Sequence, residues 1–153
     1  MPDLSHFLFP QSLLLSLNSK REEAVLEEML EHLKEDHRVA NWQELYHSIL
    51  VPSPFPLSSK GKMVAMLYHG RASSIRDFVI AAGRSSAGIF FKNATAPIHL
   101  IFVIAIPHAL NQEYLRVMGS IARVCNDATT VEKLLLASSP EEFIEILSEK
   151  EKE

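Results

Sequence analysis

Apolar and polar positions alternate with two different periods along this chain, and the changes of period divide it into three blocks. In the first block, Leu13, Leu14, Leu15 and Leu17 follow Pro10 and predict a short buried strand. Ser19, with Glu22 three residues on, has the spacing of a capping box. Val25, Leu26, Met29, Leu30 and Leu33 then recur at helical spacing, with charged residues between them. Asn41 with Glu44 opens a second predicted helix, whose apolar face is Trp42, Leu45, Tyr46 and Ile49. From Val51 to Leu57 three prolines stand at alternate positions, which predicts an irregular, ordered loop leading into a sheet.

The middle block reads as strands. Met63–Tyr68, Phe78–Ala82, Ile89–Phe91 and Ile98–Ile106 are short apolar or β-branched runs separated by Gly, Ser and Asn. Their continuity predicts strands covered on both faces. The last block returns to helical spacing. Gln112–Cys125 carries Leu115, Met118, Ile121 and Ala122 on one predicted face, Thr130 can cap Val131–Ala137, and Ser139-Pro140-Glu141-Glu142 opens a final helix through Phe143, Ile146 and Leu147. The charged tail, Ser148–Glu153, is expected to fray. The order is strand, two helices, several strands, three helices. Helices on both sides of the strand block predict one domain over 1–153, a three-layer α/β/α sandwich with a small mixed sheet.

Composition narrows the partners. The chain has 153 residues, 47% of them hydrophobic, enough for one core without disulfides or metals. Fifteen Lys and Arg against 19 Asp and Glu give a net charge of −4, and no basic stripe marks a nucleic-acid surface. The longest apolar run, Leu100–Ile106, is far shorter than the roughly 20 residues a membrane span requires. A single Cys125 excludes an intrachain disulfide, no Cys-x-x-Cys points to thiolate zinc, and Cys125 reads as a core thiol. No basic, apolar leader opens the chain, so a cytoplasmic location is expected.

Candidate chemistry rests on the histidines. His6, His32, His37 and His47 read as surface residues, and His99 as a packed or edge residue; no pair has metal-ligand spacing. His69 differs because it closes the run Met63–Tyr68 and precedes Gly70 and Arg71. At a strand tip an imidazole meets solvent on a rigid support, and glycine lets backbone N–H groups approach a ligand. Neutral imidazole is a nucleophile near pH 7, and an arginine fork suits phosphate. His108, after Ile104-Ala105-Ile106-Pro107, ends a second strand-like run and is the other candidate. Dinucleotide, P-loop and serine-hydrolase motifs are all missing. On the residues alone, His69 stays open between a nucleophile and a structural or surface role.

Several segments together resemble a known family, the fructose/mannitol-type enzyme IIA domains of the bacterial phosphotransferase system, with its nitrogen-regulatory branch. Phe9-Pro10, Leu13–Leu15 and Lys20–Ala24 are similar to its opening strand and helix, and Val64–Arg71 to its active-site segment. Ala87-Gly88-Ile89 is similar to the turn that follows, Pro97–Ile104 with Asn111–Leu115 to its late strand and helix, and Ser138–Leu147 to its closing helix.

The resemblance implies a phosphocarrier that needs no organic cofactor or metal. His69 would accept a phosphoryl group from an HPr-type phosphocarrier, flanked by Gly70 and Arg71. Ser59 would stand for the family's hydroxyl pair, Tyr114 at the place of a second histidine, and His108 in a loop near the acceptor. A IIB domain or a regulated target protein would be the downstream partner. Tyr68 replaces the proline before the acceptor, and the upstream Arg-Glu pair is replaced by Pro52-Ser53-Pro54-Phe55-Pro56. Those departures point to regulation rather than sugar transport. The alternative readings are a phosphorylation-incompetent protein-binding module on the same scaffold and an unrelated small-molecule enzyme at the same sheet edge.

Overall fold

The computed structural model describes residues 4–50, 52, 54–109 and 112–151. Val51 and Ser53 of the proline-bearing stretch, Asn111 and the last two residues of the predicted tail lie outside them. In chain order the elements are β1 (Leu13–Leu14), α1 (Glu22–Leu33), α2 (Trp42–Leu50), β2 (Phe55–Ser59), β3 (Lys62–Ala72), β4 (Val79–Ile89), β5 (Ile98–Pro107), α3 (Glu113–Asn126), α4 (Ala128–Leu136) and α5 (Pro140–Glu151). Two 3-10 turns, Leu4–His6 and Pro10–Ser12, precede β1.

The sheet order is β1-β4-β5-β3-β2. β1 runs parallel to β4 and β3 parallel to β5, while the β4–β5 and β2–β3 pairs are antiparallel. Side chains of successive strand residues point to opposite faces, so each central strand feeds two cores. Ala65 and Leu67 of β3 with Leu100, Phe102 and Ile104 of β5 pack among Val117, Ile121, Leu134 and Phe143 of α3–α5. Met66 and Tyr68 with Ile101 and Val103 pack among Val25, Met29, Leu30, Leu45 and Ile49 of α1 and α2. The three-layer α/β/α sandwich with a mixed sheet is therefore the observed architecture.

Several local expectations need correction. The predicted loop ends sooner than Leu57, since strand β2 begins at Phe55; Pro56 sits on an edge strand where a missing N–H is tolerated. Phe78–Ala82 and Ile89–Phe91 are not two strands. One strand, β4, carries Val79–Ile89 with an irregularity between Arg84 and Ile89. Helix α1 begins at Glu22 behind Arg21, and Ser19 instead donates to Glu28, whose carboxylate also takes the Asn18 and Ser19 N–H groups. Helix α4 begins at Ala128 after Asp127, and the Thr130 hydroxyl donates back to that carboxylate.

Helix α3 is rotated from its predicted face. Leu115 is 63% exposed and Ala122 is exposed, while Val117, Ser120, Ile121, Val124 and Cys125 are buried. The tail does not fray at Ser148, since α5 continues to Glu151, whose carboxylate accepts the Leu4 N–H at 2.9 and 3.0 Å. Other expectations hold. Asn41 accepts the Glu44 N–H, Ser139 accepts the Glu142 N–H, and burial pushes the Cys125 thiol up to about 12.

Tyr68 is 4% exposed on the α1–α2 face, and its hydroxyl has no hydrogen-bond partner among the described residues. Burial, then Glu22 and Glu23, raise its pKa above the ordinary value. An unpaired buried hydroxyl is a destabilising feature, because folding removes its water without replacing it. Tyr68→Phe is accordingly expected to be neutral or to stabilise the fold by about 1 kcal/mol, read as a raised urea midpoint.

Candidate functional site around His69

His69 is the eighth residue of the eleven-residue strand β3, not its tip. The apolar run stops at Tyr68, but pairing with β5 continues from Ala65↔Leu100 to Ala72↔Pro107, so the ladder carries the polar segment onward. His69 pairs with Ile104. On the other side β2 reaches only Phe55↔Leu67, two residues short of His69. The Phe55 ring covers part of that gap, its centroid 5.4 Å from the imidazole.

The side-chain alternation of β3 puts His69 and Arg71 on the face shared with Ala65 and Leu67, beneath α3. Tyr114, the second residue of α3, meets them there: the Arg71 guanidinium carbon lies 4.7 Å from its ring centroid. The arrangement thus gathers His69, Arg71, Tyr114 and Phe55. His69 is half-buried, and its pKa is lowered by burial first and by the nearby Arg71 second. The imidazole is therefore neutral at neutral pH, which leaves one ring nitrogen with a lone pair.

That shift predicts a titration. The His69 ring is expected to protonate below the ordinary value near 6.5, in a 1H–13C NMR titration, and Arg71→Gln is expected to move its midpoint partly back upward. The folded form resists a proton that the unfolded chain accepts. Stability from this group is therefore complete above about pH 6.5 and falls as pH drops from there through the lowered folded value.

Gly70 has a packing role. It faces α2, and a Cβ built there would lie 2.5 Å from Ser48 Oγ, 2.7 Å from Ile49 Cγ1 and 2.8 Å from the Ile49 backbone nitrogen. Glycine at 70 lets α2 lie directly on β3. The exit of β3 is fastened to the same helix. Ser73 Oγ donates to Glu44 at 2.7 Å, and the Ser74 hydroxyl and N–H donate to it at 2.9 and 3.2 Å.

Ser59 is not part of this site. β2 runs antiparallel to β3, so Ser59 pairs with Lys62 at the other end of the strand, seven positions or about 23 Å from His69. Its hydroxyl is buried and donates to the Asn126 carbonyl at 2.9 Å. The tight Lys60-Gly61 turn, with φ of 52° and 79°, fixes that register. His108 is exposed just past Pro107, four positions beyond the partner of His69. It shares the carboxyl end of the parallel β3–β5 pair but is displaced by roughly 13 Å of strand.

A mixed five-stranded sheet between two helices and three, with a half-buried imidazole beside an arginine on a central strand, defines a small α/β/α domain. The chain belongs to the family described as "Phosphoenolpyruvate-dependent sugar phosphotransferase system, EIIA 2", whose model matches residues 6–150. A curated relative, the PTS system fructose-specific EIIABC component of Bacillus subtilis (strain 168), is 25% identical over 150 residues, which are 97% of this chain and 24% of that protein. This chain thus spans about a quarter of that relative's length.

Solved structures agree on the fold. The nitrogen regulatory protein IIA-Ntr from Neisseria meningitidis superposes with a TM-score of 0.82 at 21% identity, covering 94% of this chain and 98% of its own. IIA mannitol from Escherichia coli gives 0.73 at 19% identity, covering 92% and 98%. A complex of Escherichia coli enzyme IIAMtl with phosphorylated IIBMtl gives 0.70 at 17% identity, covering 93% and 97%. Among the described residues, no helix is long and apolar enough to cross a membrane.

Proposed function

We propose that this chain is a IIA-type phosphocarrier of regulatory rather than sugar-transporting type, accepting a phosphoryl group on His69 from an HPr-type donor. The carrying observation is the half-buried, neutral His69 with Arg71 two residues along the same strand face. Family membership supports the class of chemistry. In the step, the lone pair of the unprotonated ring nitrogen forms a bond to phosphorus as the donor's N–P bond breaks. The electron pair of that bond returns to the donor ring, which takes up a proton, and the His69 ring gives up the proton of its other nitrogen.

Such a transfer asks for position and charge stabilisation and for no organic cofactor. Arg71 supplies positive charge for the phosphoryl oxygens, and its charge also keeps the imidazole unprotonated. Tyr114 holds Arg71 by its ring, and its phenol can donate one hydrogen bond but carries no positive charge. The complex of a related IIA with phosphorylated IIB supports a protein as recipient. A regulated target that binds according to the phosphorylation state is the downstream partner we favour here.

The test is incubation with a phosphorylated HPr-type donor, with a sugar-type IIA as positive control, followed by intact mass and acid treatment. A phosphate-sized, acid-labile mass gain is expected. An unmodified chain beside a modified control overturns the proposal. The contact of Phe55 with His69 favours the second reading in that event, a IIA-like module that binds a partner protein without phosphorylation.

A further inference from the structure

The end of the sheet opposite His69 carries two adjoining clefts, of about 550 and 410 Å³, that share His99 and Leu135 in their walls. Each falls within the roughly 300–1,000 Å³ of ordinary small-molecule sites. The larger lies between the β2–β3 turn and α4. Its walls are mostly apolar, including Met63, Val64, Val131 and Leu135, and two lysines, Lys60 and Lys62, belong to the same lining. Both lysines are exposed beside the turn. Glu132 is the one acidic side chain in that lining, and it too is exposed. Arg84 stands in the wall of the second cleft, and its charge acts on the Glu142 carboxylate. The lining of the larger cleft therefore holds two lysines against one glutamate, in a chain whose net charge is −4.

The walls are well fixed. His99 Nδ1 lies 2.8 Å from the Ser85 carbonyl, which can only accept, so that nitrogen carries the proton and the ring is oriented. Arg84 donates to the Leu15, Leu134 and Ala137 carbonyls at 3.2, 3.0 and 2.7 Å, tying the end of α4 to β4. Gly88, at φ 90°, lets Pro97 and His99 close over the strand, since a Cβ there would be 2.5 Å from Pro97 Cβ. Apolar walls with a small number of placed charges are the usual make-up of a ligand pocket.

We infer that the cleft between Lys60, Lys62 and α4 binds a small amphipathic anion, with its apolar body along Met63, Val131 and Leu135 and its single anionic head at the two lysines. The sign of the local charge, opposite to that of the whole chain, selects an anion over a cation; the apolar walls select a body over a bare ion. The site stands apart from the phosphoryl chemistry, because Lys62 and His69 are separated by about 23 Å along β3, and the inference does not depend on that function.

The experiment is 1H–15N NMR titration of the full chain with octanoate, with octylamine and inorganic phosphate as controls. Octanoate is expected to give saturable shifts at residues 60–64 and 128–135, while phosphate alone and octylamine bind there at least tenfold more weakly. The Lys60→Glu/Lys62→Glu pair is expected to lose octanoate at least tenfold and to gain octylamine, with an unchanged thermal midpoint. His69→Ala is expected to leave octanoate binding unaltered. Equal binding of octylamine to the unaltered chain, saturation by phosphate alone, or shifts that map elsewhere or never saturate would each overturn the inference.

Discussion

His69→Ala is expected to abolish the acid-labile mass gain from a phosphorylated HPr-type donor, whereas His108→Ala retains it. Both histidines follow apolar runs, and both belong to the carboxyl end of the parallel β3–β5 pair. Their surroundings differ. His69 is half-buried on the sheet and has its charge suppressed by burial and by Arg71. His108 is exposed in the turn after β5. A fixed neutral imidazole beside a cation meets the demands of an in-line phosphoryl transfer, and a freely solvated one meets neither positioning nor charge stabilisation. Removing the nucleophile leaves no acceptor atom, so the loss is complete rather than partial. Arg71→Gln is expected to slow the same transfer by roughly 10²-fold, the usual scale for a lost charge-stabilising donor. Retained modification in His69→Ala, or its loss in His108→Ala, would reassign the acceptor.

Gly70→Ala is expected to destabilise the fold by about 3 kcal/mol, the upper part of the range for overpacking a rigid contact. The added methyl would meet Ser48 Oγ at 2.5 Å, Ile49 Cγ1 at 2.7 Å and, decisively, the Ile49 backbone nitrogen at 2.8 Å. A side chain can rotate away, but a helix backbone moves only if all of α2 lifts from β3. Ile49 and Leu45 are fully buried beneath that helix, so lifting it exposes core. For a chain of this size the change corresponds to a fall in Tm of about 6–12 °C. Gly119→Ala is the control. It lies in helix α3 with nothing within 4 Å of the added methyl, so it is expected to stabilise by about 0.5–1 kcal/mol. Opposite signs for one methyl at two glycines separate packing from backbone entropy. Equal effects would remove the packing account of Gly70.

The two helical blocks were legible wherever amphipathic spacing was strong. All five residues expected on the inner face of α1 are buried, and Leu45 and Ile49 anchor α2 as their spacing requires. Alternation failed where both faces of an element are partly covered. Leu115 has the composition of a core residue, but α3 meets the sheet along Val117, Ile121 and Val124, and Leu115 is left in solvent. Prolines misdirected the reading of Phe55–Leu57, because a proline is excluded from central strands and not from an edge. The end of β3 was misplaced because apolar composition stops at Tyr68 while main-chain pairing, which ignores side-chain polarity, continues to Ala72.

Sequence alone determined the layer architecture, the family and the candidate imidazole, since these reside in hydrophobic period, in the order of elements and in the local string from Val64 to Arg71. Which side chains surround that imidazole was decided by the tertiary structure. Strand direction carried Ser59 to the far end of the sheet, and the early stop of β2 set Phe55 against His69. Helix α3 brought Tyr114 onto Arg71, and the close approach of α2 explains glycine at 70. Each of these depends on contacts between residues distant along the chain. Local periodicity reports only whether a residue prefers burial; it carries no information about what lies on the other side of the contact.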